Sequence, residues 1–106
     1  SWILDLGASN HISGNKSLFS SISSTKFPHL VTVANRFKVA SQGIGQVPLS
    51  TSLNLDLFFF NPHYPYNLIS LSQLTQSSNC SITFNANSFV IQEHCMGCLI
   101  GERHES

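Results

Sequence analysis

The chain has 106 residues, with five Lys+Arg against five Asp+Glu, and only 9% of it is charged, where a typical soluble domain carries roughly 25%. Leu, Ile, Val and Phe supply 33 of its residues, well clear of the composition that leaves a chain disordered, so a single domain with one small core is expected. The basic residues, Lys16, Lys26, Arg36, Lys38 and Arg103, are scattered, which provides no clustered field for a phosphate backbone and argues against direct nucleic-acid binding.

Ser and Asn, at 18 and 9 residues, dominate the polar complement; both favour turns and caps over helix interiors, and the balance leans to an all-β fold. The longest strongly apolar stretch, Leu55 to Phe60, contains Asp56 and is far shorter than the roughly 20 residues that cross a bilayer. No transmembrane helix and no membrane partner are expected. The opening Ser1-Trp2-Ile3-Leu4-Asp5 has neither the basic flank nor the apolar length of a signal peptide, and the chain reads as a fragment of something longer. Cys80, Cys95 and Cys98 form an odd set without an export signal, which points to reduced thiols in an intracellular, cytoplasmic setting. The glycosylation patterns at Asn15 and Asn79 are then chance matches.

In chain order, Trp2-Ile3-Leu4-Asp5 is a short apolar run stopped at Gly7, a strand that delivers an acid into a tight loop. Ser13 to Lys26 is Ser-rich, with Asn15 placed to cap a short helical turn. Residues 30–34 and 37–40 predict two strands joined at Asn35-Arg36 as a hairpin, and Gly43-Ile44-Gly45-Gln46-Val47 a flexible entry into another strand. Leu53-Asn54-Leu55-Asp56-Leu57-Phe58 alternates apolar and polar, the clearest period in the chain and the mark of a half-buried strand. By the same period Phe58 and Phe60 face one way and Phe59 the other, with one ring available to a partner. Pro62 and Pro65 make 61–66 a loop, with His63 a loop histidine. Ser70 caps a short helix through Gln76. Residues 80–84 and 89–92 form a second hairpin around Asn85-Ala86-Asn87, and Leu99-Ile100 precede a polar tail.

Asp5-Leu6-Gly7-Ala8 is the most informative tetrapeptide. An apolar strand ending on an Asp in a Gly-containing loop is how aspartic proteases present a carboxylate, ordinarily as Asp-Thr-Gly or Asp-Ser-Gly. The Asp shares a proton and a water with a second Asp, the Gly lets the backbone turn close to substrate, and the hydroxyl braces the paired loops. Taken alone, such a tetrapeptide is more often a surface turn.

The rest of the chain resembles the retropepsin-like protease region of Pol polyproteins from copia-type (Tnt-like) LTR retrotransposons. Trp2 to Ile12 is similar to that family's Trp-Ile-x-Asp-Ser-Gly-Ala-Ser-x-His-Met. Val31-Thr32-Val33-Ala34-Asn35 resembles its Val-x-Val-Ala-Asp-Gly hairpin, Gly43-Ile44-Gly45 its following Gly-x-Gly, and Asn67-Leu68-Ile69-Ser70-Leu71-Ser72-Gln73-Leu74 its Asn-Leu-Leu-Ser-Val-Ser-Gln-Leu. Cys80 to Phe84, Ile91-Gln92, Met96-Gly97 and Ile100-Gly101 follow its closing pattern. The resemblance spans 1–106 and implies a small closed β-barrel of retropepsin type with one short helix. It also implies a flap hairpin over a cleft and a homodimer that supplies one Asp from each chain. Asp5 is then the catalytic acid and Gly7 the loop enabler, with Leu6 and Ala8 beside them. Leu68, Ile69 and Ser70 pack beneath the Asp loop, and Ala34, Asn35, Arg36 and Phe37 form the flap tip. The implied activity is aspartic endopeptidase on the chain's own polyprotein, in the virus-like particle of an intact element, with no metal and no cofactor. The only other aspartate, Asp56, has no Gly after it, which agrees with a dimer.

Three departures bear on activity. Leu6 stands where the family has Ser or Thr, which removes the bracing hydroxyl and is expected to crowd the dyad, at about 1 to 3 kcal/mol for the lost hydrogen bond and a similar amount for overpacking. Asn35-Arg36-Phe37 replaces Asp-Gly-Ser in the flap, losing a Gly suited to positive φ. Cys95 and Cys98 replace other residues. These changes support the competing expectation of a catalytically dead barrel kept as a dimerising or binding module. Cys95-Met96-Gly97-Cys98 with His94 and His104 is half of a zinc site without convergent partners, and ordinary thiols are the simpler reading. Ser9 and His11, two apart on an extended segment, do not converge as a nucleophile and base.

Overall fold

A computed structural model of the chain describes residues 2–33, 36–51, 53–77, 80–84, 88–93 and 99–104, with side chains described as far as residue 76. The described chain is mostly β with one short helix. The apolar opening forms β1 (Trp2–Asp5), followed by β2 (Ile12–Ser13) and a single 3-10 turn (Lys16–Leu18) whose cap is Asn15, its side chain accepting from the Ser17 N–H. Then come β3 (Ser21–Ser24), the hairpin strands β4 (Leu30–Thr32) and β5 (Lys38–Ala40), β6 (Gly43–Pro48), β7 (Asn54–Phe60), β8 (Asn67–Ser70) and helix α1 (Leu71–Ser77). A separate antiparallel sheet holds β9 (Cys80–Phe84), β10 (Ser88–Glu93) and β11 (Leu99–His104). The predicted hairpins and helix stand where the sequence puts them.

The main sheet has six strands in the order β1-β8-β2-β7-β6-β3, with β1 parallel to β8, β2 parallel to β7, and the other neighbours antiparallel. The expected closed barrel is therefore seen only in its coarser form, a mixed β architecture: among the described residues no pairing joins β1 to β3. Closure would need those two edges to meet across the whole width of the sheet.

Successive residues of a strand point to opposite faces, and both faces of this sheet are covered. On one face Val47, Leu53, Leu55, Phe58, Ile69 and Leu74 of α1 form a buried cluster joined by Trp2, Leu4, Leu18, Phe19 and Leu49. On the other, Ala8, Ile12, Phe59 and Leu68 pack under Val31 and Val33, with Val39, Ile44 and Tyr64 against them. The β4–β5 hairpin is thus a lid on the second face, not a free arm. Phe58 and Phe59 are both buried and Phe60 half-buried, so two of the three rings are core and Phe60 is the least covered.

One detail overturns the simple period of β7. Gly45 of β6 pairs with Phe58 and Val47 with Leu55, so Gln46 alone faces both Asp56 and Leu57. The extra residue is a β-bulge, and Leu57 takes it up at φ 54, the left-handed region. Strict alternation would put Phe58 on the side opposite Leu55; the bulge returns it to the Leu55 side and sends Phe59 to the other face. Gly45 is required for a different reason: a Cβ there would fall on the Ser21 carbonyl oxygen of neighbouring β3.

Candidate functional site

Asp5 ends β1 in register with Ser70, the last residue of β8. Its Oδ1 accepts a hydrogen bond from the Gly7 N–H at 2.7 Å, which is the local reason the chain turns here: the acid closes its own loop over Leu6. Oδ2 is buried and has no hydrogen-bond partner. Leu6 itself is 75% exposed. Within one chain Leu6 does not crowd Asp5, since the Asp5–Gly7 turn projects its side chain outward; the crowding expected between two paired loops belongs to the dimer. The loss of the hydroxyl remains.

Behind the loop lies a polar network that joins two of the sequence blocks. Ala8 is buried and its carbonyl accepts from Ser70 Oγ at 2.7 Å, while Ser70 Oγ accepts from the Gln73 N–H at 3.1 Å as the cap of α1. The Ser70 N–H donates to His11 Nδ1 at 2.9 Å. His11 is buried, stacked on Phe58 with ring centroids 5.1 Å apart, and burial lowers its pKa to about 4, so it serves as a neutral acceptor. Gln73 Oε1 accepts from the His11 N–H and from Asn10 Nδ2, both at 3.1 Å, and Gln73 Nε2 donates to the carbonyls of Asp56 and Leu57. Those carbonyls sit at the bulge, where the ladder is interrupted; the carboxamide supplies the donors that the partner strand does not.

Leu68 and Ile69 are buried on opposite faces, in register with Ile3 and Leu4. They and Ser70 thus lie directly beside the strand that carries Asp5. The hairpin is tied to the same loop, with the Ser9 N–H donating to the Thr32 carbonyl at 2.8 Å and the Thr32 N–H to Ser9 Oγ at 2.9 Å. Ser9 and His11 are consequently committed to separate structural bonds. Of the flap-tip residues, Ala34 and Asn35 lie outside the described residues. Arg36 carries a positive φ of 64 and Phe37 is exposed, its carbonyl accepting from the Val33 N–H. The turn keeps the conformation that a Gly would ease, with Arg in its place. The Cys95-x-x-Cys98 segment and His94 lie outside the described residues, as does the side chain of His104. An open trough lined by Ile44, Gly45, Gln46, Asp56 and Leu57 contains none of the expected site residues.

Sequence reasoning missed His11 and Gln73 as the pins of this loop. Their signal was present as polar residues inside the two best-matching blocks, Ala8-Ser9-Asn10-His11 and Ser70-Leu71-Ser72-Gln73. A family model described as Pol polyprotein, beta-barrel domain, matches residues 2–80. No curated protein and no solved structure gives a significant match.

Proposed function

The chain belongs to the Pol polyprotein beta-barrel domain family, and from that premise we propose that it is the aspartic-endopeptidase element of a retrotransposon Pol polyprotein, acting as a homodimer on its own polyprotein. The observation that carries the reading is Asp5: a half-buried carboxylate at the end of an apolar strand, one oxygen held by the Gly7 N–H and the other without a donor. Two such carboxylates brought together share one proton, because close like charges do not both ionise cheaply. The ionised one takes a proton from the attacking water while the protonated one gives its own to the substrate carbonyl oxygen. The second carboxylate would come from a second copy. Asp56, the only other aspartate, lies exposed on β7 with Oδ1 bonded to Gln46. A retropepsin-type barrel and a cytoplasmic, particle-enclosed setting are part of the same proposal.

A second reading, a barrel without catalysis that dimerises or binds, is favoured by Leu6, which brings no hydroxyl to brace the loops. Purified protein incubated with a peptide library at mildly acidic pH, with and without an aspartic-protease inhibitor, separates the two. Inhibitor-sensitive cleavage that disappears in Asp5→Asn and rises in Leu6→Ser supports the endopeptidase. Cleavage that survives Asp5→Asn overturns the role given to Asp5, and none in either the native chain or Leu6→Ser leaves the second reading.

A further inference from the structure

The basic residues are scattered along the chain, but the fold gathers three of them on the β4–β5 hairpin. Its pairing continues past both strands. At the tip the Val33 N–H donates to the Phe37 carbonyl at 2.8 Å, and Arg36 beside it holds φ 64. At the open end the Ser41 N–H donates to the His29 carbonyl at 2.8 Å. Val31, Val33 and the His29 ring, stacked on Phe59 with centroids 4.6 Å apart, pin the hairpin to the sheet from beneath. The next bond outward runs from the Thr25 N–H to the Gln42 carbonyl at 3.3 Å. Lys26, Phe27 and Pro28 are therefore looped out, since no residue of the other strand lies between Ser41 and Gln42 to face them.

Each end thus sets a cation beside an exposed ring, Lys26 by Phe27 and Arg36 by Phe37, and the two rings are 75% and 68% exposed. Lys26 Nζ lies 5.7 Å from the centre of the Phe27 ring. Paired residues share a face, so Leu30 and Lys38 stand on the outer side, away from the buried Val31, and Lys38 Nζ donates to Thr32 Oγ1 at 3.2 Å. No acidic residue occurs between Leu6 and Leu55, so the hairpin is cationic with no carboxylate of its own. Two rings left in water forfeit the gain of burial, and Arg36 holds a conformation that few side chains adopt. Neither serves the core.

We propose that this hairpin binds single-stranded nucleic acid without regard to sequence, Phe27 and Phe37 stacking on unpaired bases while Lys26, Arg36 and Lys38 meet phosphates. Aromatic rings interleaved with cations hold single strands in this way, because every base has a face to stack on; a duplex keeps those faces covered. An acidic polypeptide would meet the cations without using the rings. The inference goes beyond the endopeptidase reading and holds whether or not Asp5 is catalytic.

The full chain is titrated into a fluorescent oligothymidylate of about 15 nucleotides, and anisotropy is read at stepped salt. Binding is expected with a logarithmic salt slope of about −2, three phosphate contacts at about 0.7 each. Phe27→Leu combined with Phe37→Leu keeps the apolar bulk and removes both rings; affinity is expected to fall by about tenfold or more at an unchanged slope. Lys26→Gln combined with Lys38→Gln is expected to flatten the slope to about −0.7. All four positions are exposed, so melting curves should match that of the native chain. Unlabelled duplex and polyglutamate should compete poorly. Absence of binding at low salt overturns the inference, as does unchanged affinity in the double leucine variant. Polyglutamate that competes as well as the oligonucleotide overturns it in favour of an acidic polypeptide, and a duplex that does so overturns the stacking on unpaired bases.

Discussion

His11 and Gln73 divide one task between them. A loop that carries a functional acid is polar backbone placed against a core, and every buried N–H and C=O in it must find a partner. Gln73 satisfies four groups from two elements with a single carboxamide. Gln73→Glu keeps the acceptor and replaces the donor with an oxygen aimed at the Asp56 and Leu57 carbonyls. We expect it to destabilise the fold by about 2 to 4 kcal/mol at neutral pH, read as a lowered urea midpoint, with partial recovery in acid when the carboxyl can donate. His11 makes stability depend on pH. Its pKa of about 4 in the folded chain lies below the ordinary 6.5, so the unfolded state binds the proton first. Stability is full above about pH 6.5 and falls as pH drops towards 4, by about 3 kcal/mol in all and about 2 kcal/mol by pH 5. Urea titrations at stepped pH should show this slope, and His11→Gln should flatten it while costing stability at pH 7. Cleavage assays in acid therefore run where the fold is weaker, and should be paired with a measurement of folded fraction.

At the scale of elements, the β6–β7 pair concentrates two opposite backbone demands. Leu57 holds a positive φ of 54 with its side chain 56% exposed, so glycine there relieves strain and forfeits little burial. Leu57→Gly is expected to raise stability by about 0.5 to 1 kcal/mol. Gly45 is the reverse case, since a Cβ meets the Ser21 carbonyl of the next strand. Gly45→Ala should cost about 2 kcal/mol or more, by pushing β3 off the sheet edge. Thermal melts of the two variants, moving in opposite directions, check both. The same bulge explains why a strand with a clear period of two was legible from sequence while its inward residues beyond Leu55 were not. A bulge is set by what the facing strand and Gln73 can satisfy, and neither is local to β7.

For the whole molecule, the exposed apolar residues at the Asp-loop end matter most. Ile3, Leu6 and Phe37 are all exposed, and β1 is an outer strand of the main sheet. Under the dimer proposal, sedimentation at increasing concentration should pass from one copy to two, and Leu6→Asp should shift that transition to higher concentration by placing like charges beside Asp5 on each loop. Specific activity of Leu6→Ser should climb with concentration over the same range. A species that stays a monomer at all concentrations would remove the second carboxylate and with it the proposed chemistry.

Local chemistry was sufficient for β1, β6, β7, both hairpins, the Ser70 cap and the Asp5–Gly7 turn, because each depends on residues within a few positions of one another: alternation, a capping hydroxyl, a carboxylate two residues from an N–H. β2, β3 and β8, short or without a period of their own, were not legible and exist through their sheet neighbours. The order of the blocks was likewise sufficient for the Pol polyprotein beta-barrel family, the coarser part of the resemblance. What the tertiary structure decided are the relations between distant segments. Leu6 points outward because the loop closes on Gly7 and is held from behind by Ser70. The hairpin lies flat because its valines cover one face of a sheet whose other face α1 covers. Tyr64 packs against the second face because its loop is tied through Asn61 to the Ser13 and Ala40 carbonyls. None of these follows from spacing along the chain, since each is the outcome of burying apolar surface on both sides of one sheet while pairing every polar group that this burial strands.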